Sequence, residues 1–273
     1  MVKIEHTVFA LPFAFMSGFL AIRQWPGVEK IAWIFIAMVG ARSAAMAFNR
    51  LVDLPFDSKN PRTSGRALPQ RLVTKGFTAG FIVVSSGVFI FAAFRLNTLS
   101  LALSPLALAI VFFYSFTKRF TCLSHIFLGL ALAAAPVGAW IALCGTLGSS
   151  PLILGFAVLL WSSGFDIIYS CQDVDFDRKE SLHSIPARLG VAVALRISAI
   201  FHLVMIGSIA FLFWKEDLGA ISYLGLVVVG LLLAYEHSLV RPGNLSRANT
   251  AFFTVNGWIS ILLFASIVID LFL

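Results

Sequence analysis

Ala44-Ala-Met-Ala-Phe-Asn49-Arg-Leu-Val-Asp53-Leu-Pro-Phe-Asp57 brings an apolar run over residues 31–51 to an abrupt acidic end. Asn49, Asp53 and Asp57 recur every fourth residue, which on a helix forms one stripe drifting slowly around the axis. Arg42 lies two turns earlier on that stripe. Pro55 interrupts the pattern: its ring would clash with the carbonyl of Leu51 and it has no amide proton, so the helix is expected to loosen near Leu54 and present Asp57 from a turn. Carboxylates beside a bilayer are costly and need a polar role, such as holding a cation. Simple end-cap charges paired with Arg50 or Lys59 are the alternative.

The rest of the chain is what makes those acids unusual. Of 273 residues, 59% are hydrophobic and only 12% charged, with mean hydropathy +0.94, far outside the range of soluble domains. Runs long enough to cross a bilayer as helix fall at about 6–22, 31–51, 74–94, 98–117, 122–144, 151–172, 189–214, 218–239 and 250–272. The first is read as a retained span. Nine spans predict alternating loops, and the basic residues agree: fifteen fall on the N-terminal side, against Arg23, Lys30, Arg95 and Lys215 opposite and Arg42 within a span. The N-terminus and both acidic clusters are therefore expected to face the cytoplasm. The net charge of +7 follows this orientation; the basic and aromatic residues are not interleaved as in a nucleic-acid groove, and nucleic acid is set aside as a partner. Cys122, Cys144 and Cys171 suggest neither a disulfide framework nor a zinc site.

About 120 residues later a second cluster closes the sixth run: Asp166-Ile-Ile-Tyr169-Ser-Cys-Gln-Asp173-Val-Asp-Phe-Asp177. Asp166, Tyr169, Asp173 and Asp177 share one helical face, and Asp175 points elsewhere. Asp166 sits well inside the span and should face a polar cavity, with Arg42 as partner or a bound proton as alternatives. Hard oxygen ligands of this kind suit Mg²⁺, which is typically held by one or two carboxylates and substrate phosphate oxygens. A diphosphate gripped between two such sites becomes a good leaving group, because its developing charge is neutralised in place. Arg62 and Arg66, in the polar insert after the first cluster, are a candidate diphosphate clamp. Tyr114-Ser-Phe-Thr-Lys118-Arg119, at the end of the fourth run, could be topology anchors alone. The five histidines show no ligand spacing and are expected to be interfacial or hydrogen-bonded within the bundle.

Together these motifs resemble the membrane-embedded UbiA-type aromatic prenyltransferases. The likeness rests on Asn-x3-Asp-x3-Asp at Asn49, Asp53 and Asp57, on Asp-x3-Asp at Asp173 and Asp177, and on Tyr-x3-Lys-Arg at Tyr114, Lys118 and Arg119. It extends over essentially the whole chain. The runs Ile4-Glu-His-Thr-Val-Phe-Ala-Leu-Pro and Ala41-Arg-Ser-Ala-Ala-Met-Ala-Phe-Asn-Arg look like the 4-hydroxybenzoate polyprenyltransferase branch and its relatives in the futalosine route to menaquinone. Arg50 stands where many members have Asp, and Pro55 falls inside the first motif.

The resemblance implies an all-α polytopic membrane bundle of nine transmembrane helices around a central cavity. It implies two four-helix groups, about 1–118 and 122–240, and a last helix over 250–272, in a single domain. Asn49, Asp53, Asp57, Asp173 and Asp177 would be the catalytic set, holding Mg²⁺ and the diphosphate of a polyprenyl diphosphate donor. Arg62, Arg66, Tyr114, Lys118, Arg119 and Lys179 would contact substrate, and Arg42, Asp166 and Tyr169 would line a pocket for an aromatic acceptor. Transfer to 4-hydroxybenzoate for ubiquinone is the leading expectation, with a futalosine-derived acceptor for menaquinone as the alternative. Membrane lipid surrounds the bundle, and a bacterial inner membrane is expected. A cation-coupled transporter is the reading from a different class, disfavoured because most of the acids lie at helix ends and not at the midplane.

Overall fold

The computed structural model describes residues 7–273, with side chains from Ala10 onward; Lys3, Glu5 and His6 lie outside the described residues. Among the described residues the chain is helical throughout, with only an isolated bridge between Arg241 and Asn244. Nine apolar helices of the described residues make the bundle: α1 (Thr7–Ile22), α2 (Val28–Val52), α4 (Lys75–Leu96), α5 (Thr98–Thr117), α6 (Ser124–Cys144), α7 (Ser149–Ser170), α10 (Val191–Lys215), α11 (Ala220–Ser238) and a ninth that ends in α13 (Asn256–Phe272). Eight helical segments are long and apolar enough to cross a membrane, and α1 is the shorter ninth. Short helices α3 (Leu54–Asp57), α8 (Val174–Lys179), α9 (Ile185–Leu189) and α12 (Ala248–Thr250) carry the polar turns.

Local chemistry sets where the spans begin and end. Thr74 accepts a hydrogen bond from the amide of Phe77 and starts α4. Asn97 caps α5 through the amide of Ser100 at 2.8 Å, while its own Nδ2 donates to the carbonyl of Ile141, so one side chain ties the start of α5 to the end of α6. Asp270 on α13 accepts from the amides of Gly219 and Ile221, placing a negative charge at the N-terminus of α11.

Inside a bilayer the driving force for helix association is close packing, helped by small residues that let backbones approach. At Gly40, an added Cβ would come within 2.9 Å of the Phe89 backbone, which is how α2 lies against α4. At Gly129 it would meet the Leu159 carbonyl at 2.5 Å, which is how α6 lies against α7. Helix α7 is the innermost element: Trp161 and Phe165 are fully or almost fully buried, and Phe13 of α1 packs on Trp161 at 4.9 Å. The outward faces of α4, α10 and α11 instead expose Val83, Val84, Leu203, Leu224 and Leu231.

The chain path places α2, α4 and α5 in one sector, and α6, α7, α10, α11 and α13 in the other. Helix α1 packs against α6 and α13. A cavity of about 450 Å³ runs between the sectors, lined mainly by α2, α5, α6 and α7. It touches α5 from Ser100 down to Lys118 just past its end, a length of about 27 Å at 1.5 Å per residue.

Two interruptions position the site. As the sequence predicts, α2 stops at Val52 and the chain resumes as α3 from Leu54; Asp53 holds the junction, with its amide still donating to the Asn49 carbonyl. Asp57 ends a four-residue helix and is buried. The second interruption is not legible in the sequence. The ninth span begins with α12 and a wide turn of π-helix over Ala251–Val255, in which Asn256 donates to both the Ala251 carbonyl and Glu236 Oε1 of α11. Such turns arise where a side chain competes for a backbone carbonyl.

Candidate active site

Both acidic clusters come to the same end of the bundle, at the head of the cavity. Asn49, Asp53 and Asp57 approach from α2 and α3; Asp173 lies in a 3-10 turn that follows α7, and Asp177 lies in α8. The helix bends at this turn but keeps Asp166, Tyr169, Asp173 and Asp177 lining one cavity wall.

Each carboxylate has a basic partner, in most cases from a distant part of the chain. Arg62, in the polar insert after α3, reaches across to Asp173 with Nε 2.9 Å from Oδ1 and Nη2 on Oδ2, the two-pronged geometry that suits a guanidinium. Asn60 also donates to Asp173, at 3.2 Å. Arg66 folds back on Asp57, with Nη1 2.7 and 2.8 Å from its two oxygens, and Arg50 stands 3.9 Å away. Lys118, just past α5, lies 2.7 Å from Asp177, whose other oxygen accepts from Ser184. Asp53 has the loosest partner, Arg119 at 3.7 Å, and accepts from Asn49 Nδ2 at 2.8 Å. Lys59 pairs with Glu180 and not with the first cluster.

The electrostatics follow. Burial, then the charge of nearby Asp57, pushes the Asp53 carboxyl up to about 6, with Arg119 and the Asn49 hydrogen bond pulling the other way. Burial opposes the charge on Arg62, but its bonds and attraction to Asp173 outweigh this and raise its pKa above the usual guanidinium value.

Below the charged head the wall becomes aromatic and then aliphatic. Tyr169 joins the two levels: its hydroxyl accepts from Arg62 Nη1 at 2.8 Å, the Arg62 guanidinium lies 5.0 Å from its ring centroid, and the ring packs on Phe252 at 4.3 Å. Phe252 belongs to the π turn, so that irregular backbone delivers an aromatic side chain to the cavity. Arg42 lines the cavity beside Tyr114, and its Nε is buried without a hydrogen-bond partner. Arg42 is not the partner of Asp166. His125 of α6 takes that place, with Nδ1 2.7 Å from Oδ2. Deeper walls are apolar, mixing small residues such as Ala107, Ala131, Ala135 and Gly138 with larger ones such as Met38, Phe89 and Leu103.

Of the residues singled out from sequence, Lys179 alone is absent from the cavity lining; it is exposed at the end of α8. Sequence reading missed Asn60, Ser184, His125 and Phe252. Ser184 carried a signal, since Ser followed by Ile-Pro is a helix start and Ser184 does cap α9. The others had none: a lone histidine or asparagine acquires meaning only from what folding sets opposite it.

The UbiA prenyltransferase family matches residues 10–262, nearly the whole chain. The chain belongs to this family. A solved apo UbiA homologue from Aeropyrum pernix K1 is 33% identical, covers 99% of both chains and superposes with a TM-score of 0.90. A 4-hydroxybenzoate octaprenyltransferase of Marinobacter nauticus is 29% identical over 92% of this chain and 85% of its own length. A UbiA homologue from Archaeoglobus fulgidus, solved with DMAPP and Mg²⁺, is 18% identical and shares the fold at a TM-score of 0.77 over 98% of this chain and 96% of its own. The protein is thus an integral membrane prenyltransferase, and the transporter reading falls away.

Proposed function

We propose that this protein transfers a polyprenyl group from polyprenyl diphosphate to 4-hydroxybenzoate, in ubiquinone biosynthesis, with Mg²⁺ as cofactor. The observation that carries the reading is the pair of acidic helix ends converging on the head of one cavity whose deeper wall is aromatic and then aliphatic. A charged, chelatable diphosphate fits the head; an isoprenoid chain fits the apolar shaft below.

The donor set favours a cation that arrives with its substrate. All ligands are hard oxygens, and among the described residues no three His, Cys, Asp or Glu side chains are grouped closely enough to hold a metal by themselves. Asn49, Asp53, Asp57, Asp173 and Asp177 would hold Mg²⁺ together with diphosphate oxygens, and the metal would neutralise the leaving group. Until then, Arg62, Arg66, Lys118 and Arg119 occupy the carboxylates. On donor binding these four exchange carboxylate for phosphate oxygens, a swap that keeps every buried charge compensated. Lys179 remains a candidate for transient contact at the mouth.

At the acceptor level, the unpartnered Arg42 Nε is matched to the carboxylate of a hydroxybenzoate, and the Tyr169–Phe252 stack to its ring. Tyr114 lines the same level. Asp166 stands ready for the ring side of the reaction. A division of the chain into two four-helix groups and a last helix, each group supplying one acidic motif, would account for the two-sided grip. The distribution of Lys and Arg supports a cytoplasmic active site, and the bacterial relatives support an inner-membrane location.

The test is transfer from a polyprenyl diphosphate to 4-hydroxybenzoate and competing aromatic acids, in nanodiscs, with products identified by mass spectrometry. Prenylated 4-hydroxybenzoate that disappears with chelator is expected. Product on another ring alone replaces the acceptor; no product on any ring ends the reading.

A further inference from the structure

His125 is buried on α6 and lines the cavity, yet nothing in diphosphate binding uses it. Its two ring nitrogens have different partners. The backbone amide of Ile185, at the start of α9, points at Nε2 from 3.4 Å. An amide can only donate, so Nε2 accepts and the ring proton sits on Nδ1. Nδ1 is 2.7 Å from Asp166 Oδ2 and therefore donates to it. The α6 backbone at this point is itself tied to α7, because Ser163 Oγ donates to the His125 carbonyl at 3.0 Å.

This leaves Asp166 unlike the other cavity carboxylates. Asp53, Asp57, Asp173 and Asp177 each have an Arg or Lys within 4.0 Å. Among the described residues Asp166 has none, and its single ion-pair-range neighbour is the His125 ring. One oxygen is held by a neutral donor, and the side chain keeps 18% exposure into the cavity. A carboxylate fixed at one oxygen and not neutralised by a cation is suited to accept a proton.

We propose that His125 is a positioning residue which, as the Nδ1–H tautomer, aims the Asp166 carboxylate at the acceptor ring to take up the proton released there. The proposal rests on the prenyl-transfer reading. In that reaction the allylic C–O bond breaks and its electron pair leaves with the diphosphate. A π electron pair of the ring forms the new C–C bond. The ring C–H bond at that carbon then breaks, its electron pair restores aromaticity, and the proton passes to the free oxygen of Asp166. His125 keeps its proton throughout, and Asp166 returns its proton to water after the product leaves. The 184–185 segment couples the levels, since Ser184 donates to Asp177 while the next amide fixes the His125 tautomer.

The test uses the full chain in nanodiscs, with geranyl diphosphate and 4-hydroxybenzoate carrying hydrogen or deuterium ortho to the hydroxyl. His125→Asn places an amide N–H near the position of Nδ1; His125→Gln moves that donor toward Nε2, away from Asp166. Asp166→Asn should lower kcat by about 10²-fold or more. His125→Gln should slow turnover about tenfold, leave the donor KM unchanged and give a larger deuterium slowing than wild type, while His125→Asn stays close to wild type. Adding His125→Gln to Asp166→Asn should cost nothing further, because His125 acts through Asp166. A full extra tenfold loss in the double variant, or a His125→Gln isotope ratio equal to that of wild type, overturns the proposal and leaves the departing diphosphate as the proton acceptor. Wild-type protein that prenylates no acceptor overturns the parent reading, and is seen before any variant is compared.

Discussion

The two acidic helix ends carry the same residue type at the same end of the bundle, but they are built differently. The first is broken by Pro55, so Asp53 sits at a junction with its side chain 31% exposed and its cation 3.7 Å away. The second runs on through one tight turn, and Asp173 and Asp177 are buried in close ion pairs. What holds the second end comes largely from the first half of the chain: Arg62 and Asn60 from the insert after α3, and Lys118 from the end of α5. The more continuous helix end is therefore the one that depends on long-range partners. The looser one, with a carboxyl pushed to about 6, has more freedom to receive a cation.

This asymmetry is most sharply broken at Asp173. Asp173→Ala should remove a diphosphate-holding carboxylate and also the bonds it accepts from Arg62 and Asn60, loosening the insert over 58–74, which is then tied to the second half of the chain mainly through Arg62–Tyr169 and Lys59–Glu180. Turnover should fall by at least 10²- to 10³-fold, the range seen when one preorganised charge-stabilising group is lost. The same variant should be cleaved faster by protease within the insert. Asp53→Ala should reduce turnover by a comparable factor without changing cleavage. Equal proteolysis in the two variants would mean that the insert is held by something other than Asp173, and the comparison would fail.

A smaller effect is expected at Pro55. Pro55→Ala restores an amide proton and removes the clash with the Leu51 carbonyl, so α2 can run on through Asp53. The helix gains propensity while Asp57 rotates away from Arg66. Activity should drop about 10- to 10²-fold, as expected for a displacement of order 1 Å in a reacting assembly, with thermal stability unchanged or raised. Loss of stability instead would show that the break is needed for folding and not for aiming Asp57.

Much of this was legible in the sequence because it rests on local rules. The spans follow from apolar length, the acidic stripes from a four-residue period, and the break after Val52 from proline stereochemistry. The ninth span could be located by the same rules but its entry could not, because Asn256 opens the turn by bonding to Glu236 on another helix. Phe252 reaches the cavity only as a result. Likewise, carboxylates and guanidiniums could be expected to share a site, but which pairs with which depends on how the insert folds back. Asp166 with His125, and not with Arg42, is a pairing between α6 and α7 that no spacing along the chain encodes.

The smallest expected effect separates two lysines that sequence reading grouped together. Lys118 and Lys179 both lie at helix ends beside the clusters, but Lys118 lies 2.7 Å from buried Asp177 and lines the cavity, whereas Lys179 is exposed outside it. Lys118→Met strips the cation from a buried carboxylate and one contact from the donor, and should raise the donor KM about tenfold. Lys179→Met changes only a solvated charge, and kcat and KM should stay within about twofold. If Lys179→Met instead raised the donor KM as much as Lys118→Met, α8 would have to turn inward when the diphosphate binds, and the second cluster would be the mobile half of the grip.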